Sequence, residues 1–138
     1  MSELARIGVA IDADLLEKFD GHIARRGYTN RSEAFRDLIR DELIEEDWKK
    51  PDANVVGTVT LVYDHHVRQL SERLTSMQHD HHHHILSTLH VHLDHDNCLE
   101  VLIVKGKSAQ VRKIADALIS TKGVKHGRLT ITTTGANL

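Results

Sequence analysis

Residues 77–100 read MQHDHHHHILSTLHVHLDHDNCLE, and they hold eight of the twelve histidines and the only cysteine of the 138-residue chain. The apolar residues from Ile85 to Leu93 suit a β-strand, so His90 and His92 project from one face, with Cα atoms roughly 6.5–7 Å apart. Asp94-His95-Asp96-Asn97 is turn-like, and the run from Cys98 to Val104 suits a second strand, giving a hairpin. Parity constrains that hairpin. For Cys98 to lie directly opposite His92 and share its face, the loop must hold an odd number of residues, or a bulge must intervene. Residues 93–97 make five, whereas a 93:98 pairing would send the thiol to the wrong face. His79 lies upstream, at the end of a helical pattern. Imidazoles and a thiolate form a ligand set for a borderline-soft divalent transition metal, so the stretch reads as a metal sensor's site.

Outward from the hairpin, the pattern repeats strand and helix. Val55–Tyr63 alternates as a strand with Val55, Gly57, Val59, Leu61 and Tyr63 on one face. Asp64 is placed to cap a helix bearing Val67, Leu70, Leu74 and Met77. After the hairpin, Ser108 opens a helix with Val111, Ile114, Ala115, Leu118 and Ile119 inward, closed by Gly123, and Val124–Thr134 is a last strand. The order βαββαβ makes a ferredoxin-like sandwich with one sheet face left for another subunit to cover.

The first fifty residues differ. Ile7, Val9 and Ile11 alternate with Arg6, Gly8 and Ala10 over a short strand at 5–11. Asp12 or Asp14 can cap the following helix, whose Leu15, Leu16, Phe19 and Ile23 recur at helical spacing before Gly27 ends it. Asn30-Arg31-Ser32-Glu33 offers a capping box, Asn30 bonding forward and Glu33 reaching back. The second helix carries Ala34, Phe35, Leu38, Ile39 and Leu43 inward and ends near Trp48. One strand and two helices bury too little area alone and leave both strand edges unpaired. A two-fold dimer with antiparallel strands remedies both, and its ribbon, presenting Arg6, Gly8 and Ala10, fits the major groove of DNA. Residues 1–50 form this first domain. Residues 51–54, next to Lys49-Lys50 and holding the only proline, are the linker, and 55–138 form the second domain. The fold class is α+β.

Composition bounds the rest. A net charge of −2 gives no basic field, and residues 1–50 carry nine Lys/Arg against twelve Asp/Glu, so contacts to DNA come from placed residues. A lone thiol beside histidines suits a reducing compartment, and neither an apolar leader nor a membrane-length run is present, which points to the cytoplasm. No nucleophile elbow, glycine-rich phosphate loop or placed acid pair accompanies Cys98, which argues against an enzyme. The His81–His84 run reads as an exposed loop of weak metal affinity. His65, His66, His95 and His126 are left as solvated surface residues. His79 belongs either to the same chain's site or to a neighbour's.

With both halves read, the chain resembles the nickel-responsive transcriptional repressor family usually called NikR. The N-terminal part looks like its ribbon-helix-helix domain in Arg6-Ile-Gly-Val-Ala-Ile, in Arg26-Gly-Tyr and in Asn30-Arg-Ser-Glu-Ala-Phe-Arg-Asp. The C-terminal part looks like its ACT-type domain in Gln78-His79, Leu89-His-Val-His-Leu, Asn97-Cys-Leu-Glu and Gly123-Val-Lys-His-Gly. The resemblance implies a homotetramer, a dimer of dimers that binds double-stranded operator DNA and represses nickel-uptake genes when loaded. It implies one Ni(II) per subunit at the tetramer interface, held in a square plane by His90, His92 and Cys98 of one chain and His79 of a neighbour. Arg6, Gly8 and Ala10 match the family's base-reading positions. Gly8 and Ala10 lack side-chain hydrogen-bonding groups, which leaves Arg6 as the main reader. Arg31 and Ser32 open a helix where backbone amides favour a phosphate, with plain capping the other role for Ser32. Glu33 and Asp37 match positions that hold a second cation, and otherwise would pair with Arg36 and Arg40. The rival reading is a DNA-binding regulator answering to Zn(II), Co(II) or an amino acid.

Overall fold

The computed structural model describes residues 3–136 and 138. Its elements are α1 (Ala13–Arg25), α2 (Arg31–Lys49), β1 (Asn54–Asp64), α3 (Leu70–Asp80), β2 (Ile85–His92), β3 (Asn97–Lys107), α4 (Ser108–Ile119) and β4 (Val124–Thr132). The chain divides into two compact units, one ending at Asp41 and the other starting at Glu42.

In the first unit, residues 3–12 form no strand, although an alternating pattern there suggested one. The physical reason is simple: a strand needs a ladder partner, and a single copy supplies none for this segment. Ile7 and Val9 are accordingly exposed, as are Leu38 and Ile39 of α2, which the helical spacing placed inward. Asp12 occupies the N-cap of α1 without a side-chain bond to it. The C-terminus is better secured. Gly27 adopts φ +87°, and the amides of Gly27 and Tyr28 bond to the carbonyls of Ala24 and Ile23, the pattern of a Schellman cap. At α2, the Glu33 amide donates to Asn30 Oδ1 at 2.9 Å, but the Glu33 carboxylate pairs with Arg36 instead of reaching back. Phe19 stacks on Phe35 with ring centroids 5.1 Å apart.

The second unit is an antiparallel sheet in the order β2-β3-β1-β4. The β1 alternation holds: Val55, Gly57, Val59, Leu61 and Tyr63 are all buried, and they pack with Leu102 and Val104 of β3 against Leu70 and Leu74 of α3 and Val111, Ile114 and Leu118 of α4. Trp48 joins this core. Its indole Nε1 donates to the Thr132 carbonyl at 2.9 Å, and the Arg112 guanidinium lies 5.2 Å from its ring centre. Gly57 makes room for it, because a Cβ there would fall 3.1 Å from the indole and 3.0 Å from Leu129. The turn after α2 is pinned to α4, with Ser108 Oγ donating to the Lys50 carbonyl at 2.6 Å.

One boundary differs from the sequence reading. The helix after β1 starts at Leu70, not at Asp64. Asp64 Oδ1 instead accepts from the His66 amide at 2.8 Å, and Gln69 holds a left-handed φ of 64°, so residues 65–69 are turns. The sheet face opposite the helices is bare. Leu89 (62% exposed), Val91 and Ile103 stand on it together.

Candidate metal centre

The hairpin sets the centre. Five residues separate His92 from Cys98 and the two pair directly, the odd spacing that parity required. Asp94 organises the loop, its Oδ1 accepting from the amides of Asp96 (2.9 Å) and Asn97 (2.8 Å). Those bonds, the one from Asn97 first, pull its carboxyl down to about 2.

Cys98 is wholly buried. Its Sγ lies 3.3 Å from His92 Nδ1 and 3.3 Å from His65 Nδ1. Burial, then the carboxylates of Glu100, Asp64 and Asp94, push the thiol's pKa up, so it keeps its proton unless a cation offsets them. His65, His92 and Cys98 thus offer three donor atoms within 4.8 Å of one another. Sequence pattern alone makes His65 a solvated surface residue, whereas here it is half-buried against the thiol. The signal for it lay in topology: β1 pairs with β3 in the register Tyr63↔Cys98 and Asp64↔Asn97, so the residue after β1 must emerge beside the thiol.

The other two expected donors are placed differently. His90 sits opposite Glu100, with its Nδ1 3.3 Å from Glu100 Oε1, and its ring centre is 5.3 Å from that of His92. Glu100 is buried and also accepts from Tyr63 Oη (2.6 Å) and Gln78 Nε2 (2.9 Å). Burial first, then Glu100, raises the Tyr63 pKa and keeps it a donor. His79 closes α3, is exposed, and lies beside His82 with ring centres 5.9 Å apart, outside the three-donor group. The His81–His84 turn follows it, with the His84 amide bonded to the His81 carbonyl.

In the first unit, Arg6, Gly8 and Ala10 are exposed, and a Cβ on Gly8 would meet nothing within 4 Å. Arg31 makes a two-point pair with Asp20, Nε to Oδ1 at 2.9 Å and a second nitrogen to Oδ2 at 2.7 Å. Ser32 is exposed in the first turn of α2. Glu33 and Asp37 do not face a shared void: Glu33 pairs with Arg36, while Asp37 accepts from Tyr28 and pairs with Arg40 at 3.2 Å.

The donor chemistry fits a nickel ion. A buried thiol flanked by imidazoles, hemmed in by carboxylates and raised in pKa, gains from a divalent cation that takes the proton's place. No helix among the described residues is long and apolar enough to cross a membrane.

Comparison with known proteins matches residues 56–132 to the NikR C-terminal nickel-binding domain and residues 5–46 to the ribbon-helix-helix protein, copG family. A protein of Solibacter usitatus, named for a nickel-responsive regulator, is 78% identical over 138 residues, covering 100% of this chain and 99% of its own. One of Geobacter sulfurreducens with the same name is 62% identical over the same spans. One of Caldanaerobacter subterraneus is 53% identical over 135 residues, 98% of this chain and 88% of its own.

Proposed function

Because the chain belongs to the NikR family of nickel-responsive regulators, we propose that it represses nickel-uptake genes by binding operator DNA when Ni(II) is bound. The family is one of regulators, not enzymes. In this reading residues 1–50 bind DNA, 51–54 link, and 55–138 bind metal and assemble the tetramer. His90, His92 and Cys98 hold the ion together with His79 of a neighbouring chain. The single observation that carries the reading is the His92↔Cys98 register, which brings thiol and imidazole to 3.3 Å on one sheet face. Bound nickel would supply a cross-link between subunits that favours one quaternary arrangement over others.

The rest of the proposal follows from what one copy leaves incomplete. The bare sheet face supports assembly through the second unit, and the exposed Ile7 and Val9 support pairing of ribbons. Arg6 reads base edges, with Gly8 and Ala10 allowing close approach, and Arg31 and Ser32 serve the phosphate backbone. Glu33 and Asp37 hold a second cation only if their arginine partners swing away. The protein works in the cytoplasm, where a lone thiol stays reduced. The intrachain His65–His92–Cys98 group favours one alternative, a regulator answering to Zn(II) or Co(II), since three N/S donors and a water suit those ions too.

A gel-shift assay on the promoter of the host's nickel transporter, with and without Ni(II), tests the reading. Nickel should tighten binding of the wild type, and Cys98→Ala should lose that dependence along with the visible nickel–thiolate absorption. Arg6→Ala should lose site-specific binding while keeping the absorption. Nickel-independent binding by the wild type would sink the proposal, and a stronger response to Zn(II) or Co(II) would favour the alternative.

A further inference from the structure

Among the described residues, one ion pair joins α1 to α2. Asp20 lies within α1, and Arg31, eleven positions on, is the first residue of α2. The contact is two-point: Arg31 Nε donates to Oδ1 at 2.9 Å and Nη2 donates to Oδ2 at 2.7 Å. Two other arginines of α2 are held differently. Arg36 and Arg40 each pair with a carboxylate three residues earlier on their own helix, Glu33 and Asp37. The backbone on either side of Arg31 is fixed as well. Asn30 Oδ1 accepts from the Glu33 amide at 2.9 Å, and the Tyr28 amide donates to the Ile23 carbonyl at 3.0 Å.

Resting on the phosphate contact proposed above for Arg31, we propose that Asp20 is a positioning residue for DNA binding, holding the guanidinium plane so that its free edge meets a backbone phosphate. A guanidinium carries five N–H groups in one rigid plane. Asp20 takes two of them, along the Nε edge. Those left over, both on Nη1 and the second on Nη2, include the end-on fork that matches two phosphate oxygens. Solvent reaches that fork, since 53% of the Arg31 side chain is exposed.

The Asp20 carboxylate acts on such a contact in two opposed ways. Its charge repels a phosphate brought to the far edge of the guanidinium. Its two bonds also order a long side chain that otherwise samples many rotamers, so less freedom is lost when DNA arrives. Water and salt weaken the repulsion, because Asp20 is itself 41% exposed and the phosphate sits on the other side of the cation. Salt does not alter which edge of the plane is left open. Orientation therefore outweighs repulsion, and Asp20 assists binding although its charge has the sign of DNA.

Anisotropy titrations of the full-length, nickel-loaded protein into two labelled duplexes, the nickel-transporter promoter and an unrelated sequence, test the role. Asp20→Ala should weaken binding several-fold, and by the same factor on both duplexes, because a phosphate contact carries no sequence information. Asp20→Asn keeps one oxygen to accept from the guanidinium and should fall between Asp20→Ala and the wild type. In an Arg31→Ala background, Asp20→Ala should change nothing further. Tighter binding by Asp20→Ala would make Asp20 a competitor of the phosphate and overturns the proposal. An equal loss in both backgrounds overturns it too, since a carboxylate needed only to keep α1 folded would give that result. Arg31→Ala should lower the slope of log affinity against log salt by about 0.9 for each phosphate contact removed. An unchanged slope removes the phosphate contact and the Asp20 role with it. Nickel-dependent promoter binding by the wild type is read in the same titrations, so a failure of the proposed function is seen separately.

Discussion

Tyr63, Glu100 and Gln78 show how a buried carboxyl supports the centre without touching the thiol. Glu100 collects bonds from β1, α3 and β2, so His90 is oriented by a group that is itself held from three sides. Tyr63→Phe removes one donor from this buried acceptor and should cost about 1–3 kcal/mol, read as a lower midpoint in chemical denaturation with an unchanged slope. Asp20 and Arg31 make a different kind of pair, exposed and shielded by water. The Arg31 hydrogen bond holds the Asp20 carboxyl below its ordinary 3.8. A carboxylate with a lower pKa in the folded state stabilises above its unfolded value, and that contribution drains away as pH falls through the folded one. The difference in melting temperature between wild type and Asp20→Asn should therefore be present at neutral pH and vanish in acid below 3.8. At this scale His90, His92 and Cys98 were legible because strand alternation decides which side chains share a face. His65 was not, because a side chain emerging from a loop leaves no periodicity; only the β1–β3 register brings it beside the thiol.

At the scale of elements, loop length governs the chemistry. With five residues between them, His92 faces Cys98; one residue more or fewer moves every side chain of one strand to the other face unless a bulge absorbs it. Inserting a glycine between Asp96 and Asn97 should abolish the nickel–thiolate absorption while the far-ultraviolet dichroism of the sheet persists. Both strands of the hairpin and both sides of β1 could be read from their two-residue period. The start of α3 could not. Asp64 is as good a helix cap as any by residue type, but its carboxylate is spent on the His66 amide, and Gln69 must turn left-handed before the helix begins. The N-terminal strand did not form for another reason: a strand needs a ladder partner, and one copy of the chain supplies none to residues 3–12.

At the scale of the molecule, apolar side chains outside the core describe what is still to be assembled. Leu89, Val91 and Ile103 are contiguous across β2 and β3, on the face away from the helices, and carry no cover. Leu89→Glu, a charge at the middle of that patch, should lower the assembly state in sedimentation velocity by at least half without changing the dichroism of the subunit. An unaltered sedimentation coefficient would show that copies of the chain do not assemble through this face. Length and pattern pointed to two domains and a dimeric ribbon. They could not show that the last turns of α2 lodge in the C-terminal core, since Trp48 looks like an ordinary helix-end aromatic until its indole is seen bonded to Thr132.

That placement of Trp48 has an optical corollary. It is the only tryptophan in the chain, and it is packed among the residues of the sheet core beneath the Arg112 guanidinium. Intrinsic indole emission is therefore a spectator seated in one unit, blue-shifted while the sheet holds and shifting to the red when it melts. Loss of order confined to residues 3–41 would pass in the dark, and a fluorescence melt that looks cooperative would be reporting only one of the two units.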